Sequence, residues 1–133
     1  MNDAENSGTI LVVEDEAGVR DVAVQMLQFL GYTVLEAIDA VSGLEMYRQH
    51  PEIDLVFTDV IMPGGISGIE MAKDILTLNP DALILMATGY AAKADALIEH
   101  AHQSENIAAV AKPYDIDQIP ELIASMIAGR NSA

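Results

Sequence analysis

Five short apolar runs, separated by stretches of helical period, constrain this chain more than any other feature. The runs are Ile10–Val13, Thr33–Ala37, Leu55–Thr58, Leu83–Ala87 and Ile107–Ala111. Each is bounded by turn-forming or polar residues and is too short for a helix, which reads as a buried strand. Between the first two, Val19, Val22, Ala23, Met26, Leu27 and Leu30 recur at helical spacing, and Gly31 closes the segment as a C-terminal glycine. Asp39 is placed to cap a second helix carrying Val41, Leu44 and Tyr47, which must stop before Pro51. Ser67-x-x-Glu70 has the form of a capping box opening a third helix with Ile69, Ala72, Ile75 and Leu76, ended by Asn79-Pro80.

A fourth helix is expected over residues 92–103, on a weak stripe of Ala94, Leu97, Ile98 and Ala101. A fifth carries Ile119, Leu122, Ile123, Met126 and Ile127, with Gly129 at its end. Pro120 sets its start: with Asp117 as cap, proline falls at the third helical position, where no intrahelical N–H is lost, so regular helix begins near residue 118. Strand and helix therefore alternate five times. That alternation predicts an α/β fold, a doubly wound (βα)5 of flavodoxin-like type, with a parallel sheet covered on both faces. Right-handed crossovers favour strand order 2-1-3-4-5. Residues 9–129 form the domain, with residues 1–8 and 130–133 as flexible tails.

Four of the five runs end in polar residues of complementary kinds. The first runs into Glu14-Asp15, the third into Asp59, the fourth into Thr88 and the fifth into Lys112-Pro113. The carboxyl ends of parallel strands share one edge, and ligands bind there where strands 1 and 3 diverge. Three carboxylates, a hydroxyl and an ammonium thus converge on one pocket. The second run, on the edge strand, ends without such a group and lies outside it.

Composition narrows the partners of such a pocket. The formal charge is −15, from 21 acidic and 6 basic residues, with no cysteine. No basic patch can be assembled to neutralise phosphates, so direct nucleic-acid binding is not expected. Thiolate metal sites and disulfides are excluded. No apolar stretch has the length of a membrane span, and residues 1–8 lack the regions of a signal peptide, so the expected location is the cytoplasm.

Two carboxylates about 4 Å apart repel by roughly 4 kcal/mol at an effective dielectric near 20. Three converging acids need more compensation than Lys112 alone supplies. A hard divalent cation with oxygen ligands fits, and Mg2+ takes one or two carboxylates while keeping places for water and phosphate oxygens. A carboxylate can also attack phosphorus to give an acyl phosphate. Asp59, between an apolar strand and the flexible run Val60-Ile61-Met62-Pro63-Gly64-Gly65, is the candidate nucleophile. Glu14 and Asp15 are the candidate metal ligands, and Thr88 and Lys112 the groups for the remaining phosphoryl oxygens. Tyr47, Tyr90 and Tyr114 read as half-buried packing residues, and His50, His100 and His102 as surface residues.

In this order and spacing the motifs resemble the receiver domain of two-component response regulators, over roughly residues 9–128. Glu14-Asp15 is similar to that family's acidic pair. Asp59-Val60-Ile61-Met62-Pro63 with Gly68 is similar to its phosphoacceptor loop, Thr88-Gly89-Tyr90-Ala91 to its hydroxyl motif, and Lys112-Pro113-Tyr114 to its lysine motif. The resemblance implies a Mg2+-dependent switch, with Mn2+ as the alternative ion. Asp15 and Asp59 would ligate the metal directly, Glu14 through water, and Ile61 through its backbone carbonyl. Asp59 would accept a phosphoryl group from a phosphohistidine of a histidine kinase or histidine phosphotransfer protein. Lys112-Pro113 would be a cis peptide. Thr88 and Lys112 would move inward and shift the face made by the fourth helix, the fifth strand and the fifth helix, where a downstream protein docks.

Two departures accompany the resemblance. Ala109 stands where many receivers carry an aromatic readout residue, leaving Tyr90 or Tyr114 as substitutes, and the Pro63–Gly68 loop is one residue longer than the common form. That loop resembles terminal receivers of hybrid sensor kinases, so the chain reads as a stand-alone or terminal receiver with no fused output domain, monomeric or dimerising on phosphorylation. It would catalyse only its own phosphorylation and dephosphorylation. The alternative reading is a Mg2+-dependent phosphatase of small phosphate esters with an aspartyl-phosphate intermediate. Such enzymes place a second acid two residues after the nucleophile, where this chain has Ile61.

Overall fold

A computed structural model describes residues 8–59, 68–88, 107–111 and 118–131. The elements run β1 (Thr9–Val13), α1 (Ala17–Phe29), β2 (Thr33–Ala37), α2 (Ala40–Gln49), β3 (Leu55–Asp59), α3 (Gly68–Leu78), β4 (Leu83–Thr88), β5 (Ile107–Ala111) and α4 (Gln118–Asn131). All four strand pairings are parallel, in the order β2-β1-β3-β4-β5. This is the expected topology, with β2 on an edge. The expected helix over residues 92–103 lies outside the described residues, as does Ser67 of the proposed capping box.

Alternation along the strands splits the interior into two layers. Leu11, Val13, Val56, Ile84 and Met86 face one side and pack with Ala40 of α2 and with Met71, Ala72 and Ile75 of α3. Ile10, Val12, Leu55, Phe57, Leu83, Leu85 and Ala87 face the other, against Ala23, Val24 and Leu27 of α1 and Ile119 and Ile123 of α4. Strands buried on both faces need near-continuous apolar sequence, which is why these runs are unbroken.

Helix ends follow from local chemistry. α1 closes in a Schellman motif: Gly31 has φ +104°, its N–H donates to the Gln28 carbonyl (3.0 Å), and Tyr32 N–H donates to that of Leu27 (3.1 Å). Asp39 caps α2, its Oδ1 accepting from Ser42 N–H at 2.8 Å while Ser42 Oγ accepts from Asp39 N–H at 3.3 Å. α4 starts at Gln118, so Pro120 is the third helical residue. α4 continues through Gly129 to Asn131, two residues past the expected end.

Two apolar stripes differ from expectation. Val22 and Val19 of α1 are 56% and 37% exposed, and Val41 of α2 is 54% exposed. The buried face of α1 is rotated from the six-residue pattern: it comprises Ala23, Leu27 and Val24, which the pattern leaves out, and Val19 and Val22 fall toward solvent. In α2 the innermost residues are Ala40 and Gly43. A Cβ built at Gly43 would lie 2.8 Å from Met71 Sδ and 3.0 Å from Val13 Cγ2, so glycine lets α2 approach α3 and β1 closely.

Candidate functional site

The end of β1 and the end of β3 lie side by side, Val13 pairing with Thr58. The next residues, Glu14-Asp15 and Asp59, therefore leave the sheet at one edge. The three carboxylates each offer an oxygen, and these oxygens lie within 4.8 Å of one another. Glu14 is buried, Asp59 half-buried and Asp15 exposed, so the cluster opens outward. Among the described residues it is the one group of three or more His, Asp or Glu side chains close enough to share a cation.

Backbone and side-chain contacts hold this edge. Glu14 N–H donates to the Ala37 carbonyl of β2 (3.1 Å), and Glu14 Oε2 accepts from Glu16 N–H (3.1 Å). Arg20, in the first turn of α1, donates from Nη1 to the Glu14 carbonyl at 2.9 Å and from Nε to Glu36 Oε1 at 3.2 Å. Thr58, 1% exposed, donates its hydroxyl to the Asp59 carbonyl at 2.9 Å. Thus the terminal carbonyls of both acid-bearing strand ends are held by a side chain. Beneath the acids lies a cavity of ≈ 10 Å3, bordered by Val19, Ala23, Phe57 and Ala87, about the room of one water. Glu14, Thr58 and Asp59 line the same cavity, so the acids stand at its wall.

The donor set is oxygen only. Three carboxylates at these distances, with no cysteine in the sequence, fit a hard cation such as Mg2+ and not a thiophilic one.

Of the residues singled out from sequence, Glu14, Asp15 and Asp59 are brought together. Thr88 ends β4, its backbone one position beyond Ala87, which pairs with Asp59, and it pairs with Ala111 at the end of β5. Ile61, Tyr90, Lys112, Pro113 and Tyr114 lie outside the described residues, as do His100 and His102. Tyr47 is half-buried and its hydroxyl accepts from Asn79 Nδ2 (3.0 Å), as a packing residue would. His50, with a third of its side chain exposed, pairs with Glu52 at 3.1 Å, remote in the sequence from the acids. Arg20 and Thr58 were not legible as site residues. The available signals were Glu36, an acid inside an otherwise apolar strand, and Thr58, a hydroxyl inside a buried one.

The family model for the response regulator receiver domain matches residues 10–124. Sensor kinase CckA of Brucella abortus is 32% identical over 126 residues, which span 94% of this chain and 13% of that protein. Response regulator receiver protein CpdR of the same organism is 30% identical over 118 residues, 89% of this chain and 95% of that one. The solved structure of response regulator TrrA of Thermotoga maritima, in complex with Mg2+-BeF, superposes with a TM-score of 0.75 at 30% identity, covering 90% of this chain and 98% of that one. Among the described residues, no helix is long and apolar enough to cross a membrane.

Proposed function

The chain belongs to the response regulator receiver domain family, and we propose that within that role Asp59 is the phosphoacceptor of a Mg2+-dependent switch. The observation that carries this reading is the convergence of Glu14, Asp15 and Asp59 where β1 and β3 end. Glu14 and Asp15 would hold the cation with Asp59, together with the backbone carbonyl of Ile61. When bound, the cation supplies the positive charge that three carboxylates lack and that an incoming phosphoryl group needs. TrrA, with Mg2+-BeF bound, supports that assignment by likeness.

The donor would be a phosphohistidine on a histidine kinase or phosphotransfer protein. One oxygen of Asp59 attacks phosphorus in line; the P–O bond forms as the P–N bond breaks, and the electron pair returns to the imidazole nitrogen, which takes a proton. Such a transition state is loose and is helped mainly by positioning and by charges on the equatorial oxygens. Thr88 and Lys112 are the residues assigned to those oxygens. Hydrolysis of the acyl phosphate restores the carboxylate and releases inorganic phosphate, so the domain acts on itself and turns over no separate substrate. The phosphorylated state would be favoured through the extra contacts it offers, and the output would be a protein docking on the face that includes β5 and α4.

Incubation with a small phosphodonor and Mg2+ tests the reading by intact mass. Wild type is expected to gain one phosphoryl group, lost on mild alkaline hydrolysis, while Asp59→Ala gains none. Equal labelling of the two proteins refutes the assignment of Asp59.

A further inference from the structure

The guanidinium of Arg20 makes two contacts in opposite directions. Its Nη1 meets the carbonyl oxygen of Glu14 at 2.9 Å, and its Nε meets Glu36 Oε1 on β2 at 3.2 Å. The Arg20 side chain is 16% exposed and its bond to the Glu14 carbonyl is partly buried, whereas the bond to Glu36, whose side chain is 48% exposed, lies in solvent. Glu36 reaches the guanidinium because its strand position pairs with Val12, two residues before Glu14.

The carbonyl that Arg20 holds is not an arbitrary one. A peptide unit is planar, so the Glu14 carbonyl and the Asp15 amide turn together. Fixing that oxygen fixes the plane linking two of the three clustered carboxylates. Glu14 has its amide on Ala37 and a carboxylate oxygen on Glu16 N–H. Asp15 is exposed, and the peptide plane is the part of its placement that the described contacts secure.

We infer that Arg20, oriented by Glu36, is a positioning residue that preorganises Asp15 beside Glu14 for a divalent cation. This deepens the reading proposed above and rests on it. Two effects of Arg20 oppose each other, and their signs differ. As a nearby positive charge it weakens the cluster's pull on a cation, so its removal would tighten Mg2+ binding. As a brace it reduces the ordering required when the cation arrives, so its removal weakens binding. The two-point geometry, with the bond to the Glu14 carbonyl partly buried, favours the brace. Lysine cannot reproduce it, because an ammonium is a point charge on a flexible stem without the planar fork that spans two acceptors.

The experiment is isothermal titration of the full 133-residue chain with MgCl2, with a thermal melt of each metal-free protein to establish folding. Arg20→Met and Arg20→Lys should both weaken Mg2+ binding about tenfold or more, the range typical of residues that orient metal ligands. Arg48→Met removes an exposed cation, 3.9 Å from Glu45, and should leave affinity unchanged. Tighter binding by Arg20→Met, wild-type affinity in Arg20→Lys, or an equal loss in Arg48→Met overturns the brace. A wild type that takes up no Mg2+ overturns the proposed cation site itself, an outcome distinct from binding that is indifferent to residue 20.

Discussion

Neutralising one carboxylate of the cluster should stabilise the metal-free protein, and Asp59→Asn is the cleanest way to do it because the amide keeps the shape. With oxygens within 4.8 Å of one another, Coulomb's law gives about 3.5 kcal/mol per carboxylate pair at an effective dielectric of 20 and about 0.9 kcal/mol in bulk water. The pair with buried Glu14 lies toward the upper figure and the pair with exposed Asp15 toward the lower. Neighbouring cations and solvent screening offset much of both, leaving a net gain of about 1 to 2 kcal/mol. For a domain of this size that corresponds to a rise in Tm of roughly 3 to 8 °C. Circular dichroism melts in EDTA would measure it, and 1 M NaCl should shrink the gap because the Debye length falls to about 3 Å. Saturating Mg2+ should then reverse the order of the two proteins, since a ligand at 100 times its Kd stabilises wild type by about 2.7 kcal/mol and the variant has lost a ligand. An Asp59→Asn protein that melts in EDTA at or below wild type would refute the electrostatic reading.

Other substitutions test the fold that positions the site. Asp39→Ala removes the side-chain acceptor of the α2 capping box, leaving only the bond from the residue-39 N–H to Ser42 Oγ, and should cost about 1 kcal/mol in urea unfolding at neutral pH. The Ser42 N–H holds the Asp39 carboxyl below its ordinary value. The cap's ionised contribution is therefore complete above the unfolded carboxylate value near 4 and fades as pH falls through the lower folded one; unfolding curves of the two proteins should converge below about pH 4. Gly43→Ala places a methyl against Val13 and Met71; overpacking of about 1 to 3 kcal/mol outweighs the roughly 1 kcal/mol gained in helix propensity, so denaturant midpoints should fall. Leu27→Ala empties a fully buried position and should cost about 2 to 5 kcal/mol, whereas Phe29→Ala, at a residue 90% exposed, should change stability by no more than about 0.5 kcal/mol.

The sequence carried the sheet order because short, mostly apolar runs separated by helical stretches admit few topologies. It carried Glu14, Asp15 and Asp59 because a parallel sheet gathers strand ends. The helix phases were less legible. Val22 and Val41 belong to apolar stripes of helical period, yet both stand in solvent while Val24, Ala40 and Gly43 are buried, because periodicity gives a stripe's existence and not the rotation at which the helix meets the sheet. Arg20 was invisible for a different reason: its meeting with Glu36 and the Glu14 carbonyl depends on the β1–β2 register and the rotation of α1, both tertiary quantities. Gly43 likewise reads as a weak helix residue until Met71 and Val13 are seen against it.

The division of the interior into two layers has a consequence for how the domain can change over time. Neighbouring residues of one strand serve different halves: Leu11 and Val13 belong to the α2–α3 side, Ile10 and Val12 to the α1–α4 side. The sheet is a partition wall whose bricks are visible from alternate rooms. One room can be refurnished by paired substitutions among helix and odd-numbered β1 residues without disturbing the other, while the rim of the wall, where the acids stand, stays common to both.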